Sequence, residues 1–527
     1  MPERIKVFKI LPFLLWMLFF ISPLQPGPSQ KKGIKLNFLL ITIDTLRADR
    51  VSCYDKKHLQ TPNIDLLAEK GILFSRAFAH NPTTLPSHAN ILLGTTPIFH
   101  GVHDNANFVA REEFLSLAEL LKENGYSTAA FIGGYPLDSR FGLNQGFDIY
   151  DDNFYSLDSP YREDAERKAG LVIEKAIQWL KKTKGAWFLW VHCYDPHDPY
   201  EPPEPFQSKY RNSLYDGEVA YVDSVLGKLL HYLEENKLFE TTLVVFTGDH
   251  GESLGQHGEL THGFLAYNTT LWVPLLITMP GLKAGKVDQM VAHIDIFPTV
   301  CEVLGIKKPS FIQGESLVPT FRNKRLAERA IYFESLSPHY SRGWAPIRGI
   351  IEKKEKFIDS PISELYDLEK DFDEVHNLAQ GKDLTYLKKV LNQLLKTQSF
   401  EESAKAKQRS DTRSLEKLRS LGYIANPQVA TKERYGPEDD VKILLPYHEK
   451  SMEALALCKA GKIEEGVASL REIITKRPDM DIAYANLAYV FQWLGRLDDG
   501  LEVLREGLDL LPTSYDIFSS YIRMLVA

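Results

Sequence analysis

Cysteine is scarce: the 527 residues hold four, Cys53, Cys193, Cys301 and Cys458. They lie too far apart for a CxxC metal cluster or a dense disulfide framework, and read as buried or isolated thiols. Positive charge is also short. Lys and Arg number 62 against 70 Asp and Glu, leaving a net charge of -8 and a pI near 6.1, which gives no general support for nucleic-acid binding. Long apolar runs are almost missing. The longest, ILPFLLWMLFFISPL at 10–24, is shorter than the about 20 residues of a comfortable membrane span. It follows Arg4, Lys6 and Lys9 and gives way to QPGPSQKKG, with no AxA-like cleavage site and no LxxC lipid-attachment cysteine after it. This order of basic, apolar and polar stretches reads as an export signal, either cleaved or kept as a membrane anchor. It places the rest of the chain outside the cytoplasmic membrane, in a periplasmic, extracellular or membrane-anchored setting.

What is present is the composition of a folded chain, 44% hydrophobic and 25% charged. The length allows about three or four ordinary domains, fewer if one is a large α/β enzyme. LNFLLITID, AWFLWVHCYD and TTLVVFTGDH are short runs rich in β-branched residues and Leu, each ending in Asp or His. Each predicts a buried strand of the parallel-sheet type with a polar group at its carboxyl end. Helical patterns in NIDLLAEKGI, SLAELLKENG and 163–182 separate them. The alternation predicts an α/β fold with ligands at the carboxyl ends of the strands.

Near the C-terminus the pattern becomes helical only. Gly461 and Gly495, Pro478 and Pro512, and GKIEEG and GRLDDG are each offset by 34 residues. Region 445–527 therefore resembles tetratricopeptide repeats, an all-α array with that period. Two repeats are fewer than an independent array needs, so they pack on the enzyme or the connector, or dimerise. The Lys-, Glu-, Arg- and Ser-rich segment 400–444 reads as that connector.

TTLPSH, at 83–88, poses the chemical question. Sulfuryl or phosphoryl transfer needs an in-line nucleophile and positive charge for the equatorial oxygens, and a threonine hydroxyl needs a metal or base to activate it. Asp44, Asp249 and His250, at the ends of two of the strands, are candidate ligands. With Thr84 they form a mainly oxygen site that suits one divalent ion, Mn, Mg or Ca, or Zn because of the imidazole. Taken singly, a strand-end Asp is a helix cap, and TLPSH is a turn before the helix SHANILLG with Ser87 as its cap.

The ordered set IDTLRAD (43–49), TPNIDLLAEKGILFSRAFA (61–79), TLPSHANILLGTTP (84–97), YDPHDPY (194–200), GDHGESLGQHGELTHG (248–263), VPLLI (273–277) and ELYDLEKDFDEVHNLA (364–379) resembles the sulfatase branch of the alkaline phosphatase superfamily over about two thirds of the chain. The resemblance implies an α/β fold with a sulfatase-like central sheet flanked by helices over 35–399, preceded by the signal or anchor at 1–34. It matches Asp44, Asp249 and His250 to metal positions and Thr84 to the nucleophile. His197 matches the residue that contacts substrate and protonates the leaving group, and His262 falls near a position that holds the substrate's anionic oxygens. Asp195 and His192 are neighbours able to orient His197 or to complete a second metal site. His257 and His100 are read as solvated or structural.

Two departures bear on substrate. The CxPSR pattern, whose Cys or Ser is oxidised to formylglycine, here reads TLPSH, with Thr84 and His88 at the outer positions. The β-carbon of Thr carries a methyl group and yields no aldehyde, so no formylglycine is expected, and a threonine ester must be cleaved by direct attack on S or P. The GKWH stretch that adds a Lys and a His to the anion pocket reads FIGGYPLDSRFG (131–142), with Arg140 the only cation. A less cationic pocket favours a phosphodiester over a dianionic monoester. The expected function is a metal-dependent hydrolase of a sulfate or phosphate ester, small or from the cell envelope, acting through a covalent threonine intermediate. The alternatives are a phospho-head-group transferase of the same superfamily, or an inactive enzyme fold that presents the repeats to a protein partner.

Overall fold

In the computed structural model, which describes residues 35–154, 166–398 and 432–526, the apolar run after Lys35 forms β1 (Asn37–Ile43), buried at every position. Phe38 and Leu40 enter one core and Leu39, Ile41 and Ile43 another. That is the period-two alternation of a strand covered on both faces, and it explains why the run carries no polar alternation.

β1 pairs in parallel with β5 (Trp187–Cys193) on one side and β6 (Thr242–Gly248) on the other. The three runs that end in Asp or His thus stand side by side in the middle of a nine-stranded sheet. Its other strands are β2 (Ile72–Phe78), β3 (Ser127–Phe131), β4 (Ile149–Asp151), β7 (Trp272–Thr278), β8 (Gly285–Val287) and β9 (Val291–Ala292), in the order β4-β3-β5-β1-β6-β7-β2-β8 with β9 beside β2. β7 runs antiparallel to both β6 and β2, so the sheet is mixed. Helices Pro62–Lys70, Ala169–Leu180 and Leu214–Glu235 cover one face, and Thr84–Leu93 and Ile296–Leu304 the other. SLAELLKENG becomes Leu117–Glu123, started by a reciprocal capping box between Ser116 and Glu119.

A second, antiparallel sheet follows, β10 (Ile331–Ser335), β11 (Ile347–Glu352), β12 (Glu355–Asp359) and β13 (Glu364–Asp367). The C-terminal region is all helical: Val441–Lys459, Ile463–Lys476, Asp481–Trp493, Leu497–Leu510 and Tyr515–Val526. Its second and fourth helices are both 14 residues long and occupy matching places in the 34-residue period. Val441, Leu444 and Leu445 share a core with the helix Thr84–Leu93, so these helices pack on the α/β part. Asp440 caps the first of them through Lys442 N–H and accepts bonds from Ser360 Oγ and Ile362 N–H, each at 2.8 Å. The N-terminal signal or anchor and most of the connector lie outside the described residues. No described helix is long and apolar enough to cross a membrane.

Candidate active site

Parallel register brings the polar strand ends together: Asp44 N–H donates to Cys193 O and Asp249 N–H to Ile43 O. Opposite them, Thr84 opens the helix Thr84–Leu93, with extended Thr83 as N-cap. The sequence alternative that made Ser87 the cap is corrected here. Pro86 lies in the first turn, where its missing N–H costs no intrahelical bond, so the cap lies four residues earlier, at Thr83, and Ser87 Oγ donates to Asn81 O at 2.7 Å. Thr84 is fully buried, at the positive end of the helix dipole.

Asp44, Asp249 and His250 are brought together, with ligand-type atoms all within 4.8 Å of one another. His250 Nε2 lies 3.5 Å from Asp44 Oδ1 and 3.6 Å from Asp249 Oδ2. Donor atoms around one divalent ion stand about 3–4 Å apart, given metal–oxygen distances near 2.0–2.5 Å. The local bonds leave the right atoms exposed to that point. His250 Nδ1–H donates to Gly251 O at 2.9 Å, so its Nε2 carries the lone pair. Asp249 Oδ1 accepts from Thr45 N–H and His250 N–H, so Oδ2 is left over. Both Asp44 oxygens, Asp249 Oδ2 and His250 Nε2 are buried without a hydrogen-bond partner. Buried polar atoms are rarely left so, and a divalent cation satisfies this donor set. Thr45, at a left-handed φ of 52°, joins the centre to the next loop by donating to Pro196 O.

Burial raises the Asp44 carboxyl to about 6, against the pull of His197 and His262. Burial and the neighbouring Asp44 charge push Asp249 well above the ordinary range. The Thr84 hydroxyl approaches Asp44 without completing a full hydrogen bond, and Asn105 Nδ2 lies 3.5 Å from Thr84 Oγ. His262 stands between the two groups of site residues, with ring centroids 4.6 Å from His250 and 5.0 Å from His197. His262 Nδ1 faces Glu252 Oε1 at 3.1 Å, and His197 Nδ1–H donates to Asp198 O at 2.6 Å. Burial above all lowers both imidazoles to about 4, which leaves them neutral at pH 7. All the predicted site residues meet at one edge of the sheet.

The departures have structural counterparts. A Cβ on Gly134 would lie 2.2 Å from Tyr194 Cδ2, and the Tyr194 ring stacks on His197 at 4.3 Å. The space beside Gly134, within the stretch 131–142, is thus filled by an aromatic ring. Arg140 lies on Asp138 at 2.8 Å and over the Tyr135 ring. Introducing a cation as Gly134→Lys is expected to destabilise the fold by about 1–3 kcal/mol through overpacking, with Tyr194→Ala recovering part of the loss. An unchanged melting temperature in the single variant would refute the collision.

His88, in the arginine position, donates from Nδ1 to Thr84 O at 2.8 Å, and its Nε2 bonds Thr42 Oγ at 2.9 Å. With both nitrogens engaged it braces the first helical turn. It has no lone pair for a second ion, although it lies near His192 and Asp249. His192 Nδ1 accepts from Gly133 N–H at 3.4 Å, so its Nε2 carries the proton and faces Asp44 Oδ2 at 3.3 Å. Asp195 takes Lys168 and Ala169 N–H. His100 bonds Asn90 and Val102 N–H, and His257 stacks on Tyr267. Glu252, Asn105 and Tyr194 escaped sequence reasoning. Glu252 and Tyr194 lie inside quoted motifs, whereas nothing in the pattern around Asn105 ties it to Thr84.

The family model described as Sulfatase matches residues 36–306, and one described as N-sulphoglucosamine sulphohydrolase, C-terminal, matches 255–401. The chain is 26% identical over 65% of its length to the Escherichia coli (strain K12) protein named Uncharacterized sulfatase YidJ, covering 82% of that protein. It is 25% identical over 70% of its length to an N-acetylglucosamine-6-O-sulfatase of Bacteroides thetaiotaomicron, covering 87% of it. In fold it is similar to the phosphonate monoester hydrolase of Agrobacterium radiobacter, with a TM-score of 0.59 and 21% identity over 71% of this chain and all of that one. A match over half the chain, on the sheet whose strand ends build this site, places the protein in the sulfatase family.

Proposed function

We propose that the protein is an exported, metal-dependent ester hydrolase with Thr84 as nucleophile and a phosphodiester as its preferred substrate. The observation that carries this reading is the convergence of unpartnered atoms of Asp44, Asp249 and His250 beside the first residue of the helix Thr84–Leu93. Asp44, Asp249, His250 and Thr84 would hold one divalent ion, whose charge, when bound, activates a hydroxyl and polarises an ester oxygen. Thr84 Oγ, giving up its proton to solvent, attacks phosphorus or sulfur as the bond to the leaving oxygen breaks, and the leaving alcohol takes its proton from the protonated ring of His197. His197 Nδ1–H is engaged by Asp198 O, so its Nε2 is the atom that carries this proton. An anionic substrate beside the ring raises its pKa from the low value of the empty site, as the acid role requires. Water then attacks the threonine ester with His197 Nε2 accepting its proton, the bond from phosphorus or sulfur to Thr84 Oγ breaks, and Thr84 Oγ takes a proton back from solvent. His262, held by Glu252, hydrogen-bonds the substrate's non-bridging oxygens.

The phosphodiester preference rests on Thr84 in place of an oxidisable cysteine, on Tyr194 filling the space beside Gly134, and on neutral imidazoles lining the rest. A monoanionic diester suits such a pocket better than a dianionic phosphate monoester, and the closed formylglycine route sets it apart from a sulfate ester, itself a monoanion. Hydrolysis of aryl sulfate, phosphate monoester, phosphodiester and phosphonate monoester, each with Mn, Mg, Ca and Zn, tests it. Phosphodiester turnover is expected to lead, and strong sulfatase activity with weak phosphodiesterase activity would overturn the preference. Chelation is expected to remove turnover, and readdition of one of these ions to restore it. The C-terminal helices, with their 34-residue period, are read as tetratricopeptide-like repeats able to take a protein partner.

A further inference from the structure

The loop that carries His262 is held from outside the α/β part. Leu260 N–H donates to Glu449 Oε1 at 3.2 Å, and the Phe264 ring lies 4.8 Å from His448. Both partners belong to the helix Val441–Lys459, the first of the C-terminal region, and they grip the loop two residues before and two residues after His262. The helix is itself anchored. Asp440 binds Ser360 and Ile362, Lys442 reaches Glu364 at 3.3 Å, and Leu444 and Leu445 are buried in the core. Behind the Phe264 contact, Trp344 packs against Phe264 and lies under Arg342, which pairs with Asp481 on the third C-terminal helix at 3.5 Å. From within the α/β part, Ser335 Oγ donates to Gly263 O at 2.9 Å, and Glu259 accepts from Phe264 N–H at 2.7 Å.

The geometry points to Glu449 and His448 as positioning residues for His262, so that the C-terminal helices complete the active site rather than merely following it. This rests on the reading of His262 as a substrate-contacting group. A ring 5.0 Å from His197 and 4.6 Å from His250 has little room to shift before it clashes with one neighbour or withdraws from substrate. Neither Glu449 nor His448 touches the reacting atoms. Their effect passes through the backbone of 260–264, whose N–H at Leu260 is a direct reporter.

The test uses the full chain. Glu449→Ala is expected to lower kcat on the best ester of the substrate screen about tenfold, since small misplacements of substrate-contacting groups cost one to two orders of magnitude. Glu449→Gln keeps an acceptor oxygen and is expected to stay near wild type. In a His262→Ala background, Glu449→Ala is expected to cost nothing further, because residues that act through one group are not additive. Amide exchange at 260–264 is expected to quicken in Glu449→Ala and not in Glu449→Gln. An equal loss in the His262→Ala background, or faster exchange with unchanged kcat, overturns the proposal. If no ester is turned over by the wild type, the functional reading fails, and unchanged exchange in Glu449→Ala would separately sink the link between helix and loop.

Discussion

Thr84→Ala is expected to abolish ester hydrolysis, with a fall in kcat of about 10⁴-fold or more, the scale seen when a covalent nucleophile is removed. The variant should fold. Position 84 is the first residue of a helix, where alanine is tolerated, and the turn behind it is fastened by other residues: His88 to the Thr84 carbonyl, Ser87 to Asn81 O and Asn105 to Leu85 N–H. Loss of the hydroxyl removes one of four proposed ligands, so metal binding is expected to weaken but persist. Thr84→Ser keeps the oxygen and should retain turnover within about tenfold, since nucleophile and ligand are both preserved. Rapidly quenched wild-type protein should carry the substrate's phosphoryl or sulfuryl group on the peptide containing Thr84. Unchanged hydrolysis by Thr84→Ala would refute the covalent mechanism.

Asp249→Asn is expected to act in opposite directions on metal-free stability and on activity. In the metal-free chain two buried carboxylates, Asp44 and Asp249, face one another, and burial raises both pKa values. Replacing one by an amide removes the like-charge repulsion, and the Asn oxygen can still accept from Thr45 N–H and His250 N–H. Metal-free Asp249→Asn should therefore melt at or above the wild-type temperature. Wild type should gain about 2.7 kcal/mol when the ion is at a hundred times its dissociation constant, whereas the variant should gain little and lose turnover. The pH dependence has a definite sign. The folded Asp44 carboxyl stands at about 6, above its ordinary 3.8, so between those values the folded chain holds a proton that the unfolded chain has released. The metal-free fold therefore loses stability as pH rises through that window. Metal binding displaces the proton and should tighten over the same range. Thermal melts across pH with and without metal measure both, and an equal metal-dependent gain in Asp249→Asn would remove Asp249 from the site.

The sheet core and its chemical edge were legible in the sequence because both follow local rules. A strand buried on two faces is mainly apolar, as β1, β5 and β6 are with only a few Asn, Thr and His among their residues, and the acidic residue that ends each run lies at or just past the carboxyl end. Asp44, Asp249 and His250 could therefore be placed together without knowing any distance. Helix starts were less legible. Pro86 suggested a turn before Ser87, although proline inside a first turn is harmless, and the helix begins at Thr84.

By itself the sequence determined the α/β class, the strand-end carboxylates and imidazole, the threonine in place of an oxidisable cysteine, and the 34-residue period of the C-terminal helices. Each of these is a matter of residue type and spacing along one chain. Tertiary structure alone decided which atoms of those residues are left unpartnered. It also decided that Tyr194 fills the space beside Gly134, that His88 is spent bracing Thr84, and that Glu449 and His448 grip the loop of His262. These pairings join residues tens to hundreds of positions apart, or fix the side of a ring that bears a proton. They depend on close packing in three dimensions, for which the one-dimensional pattern carries no period.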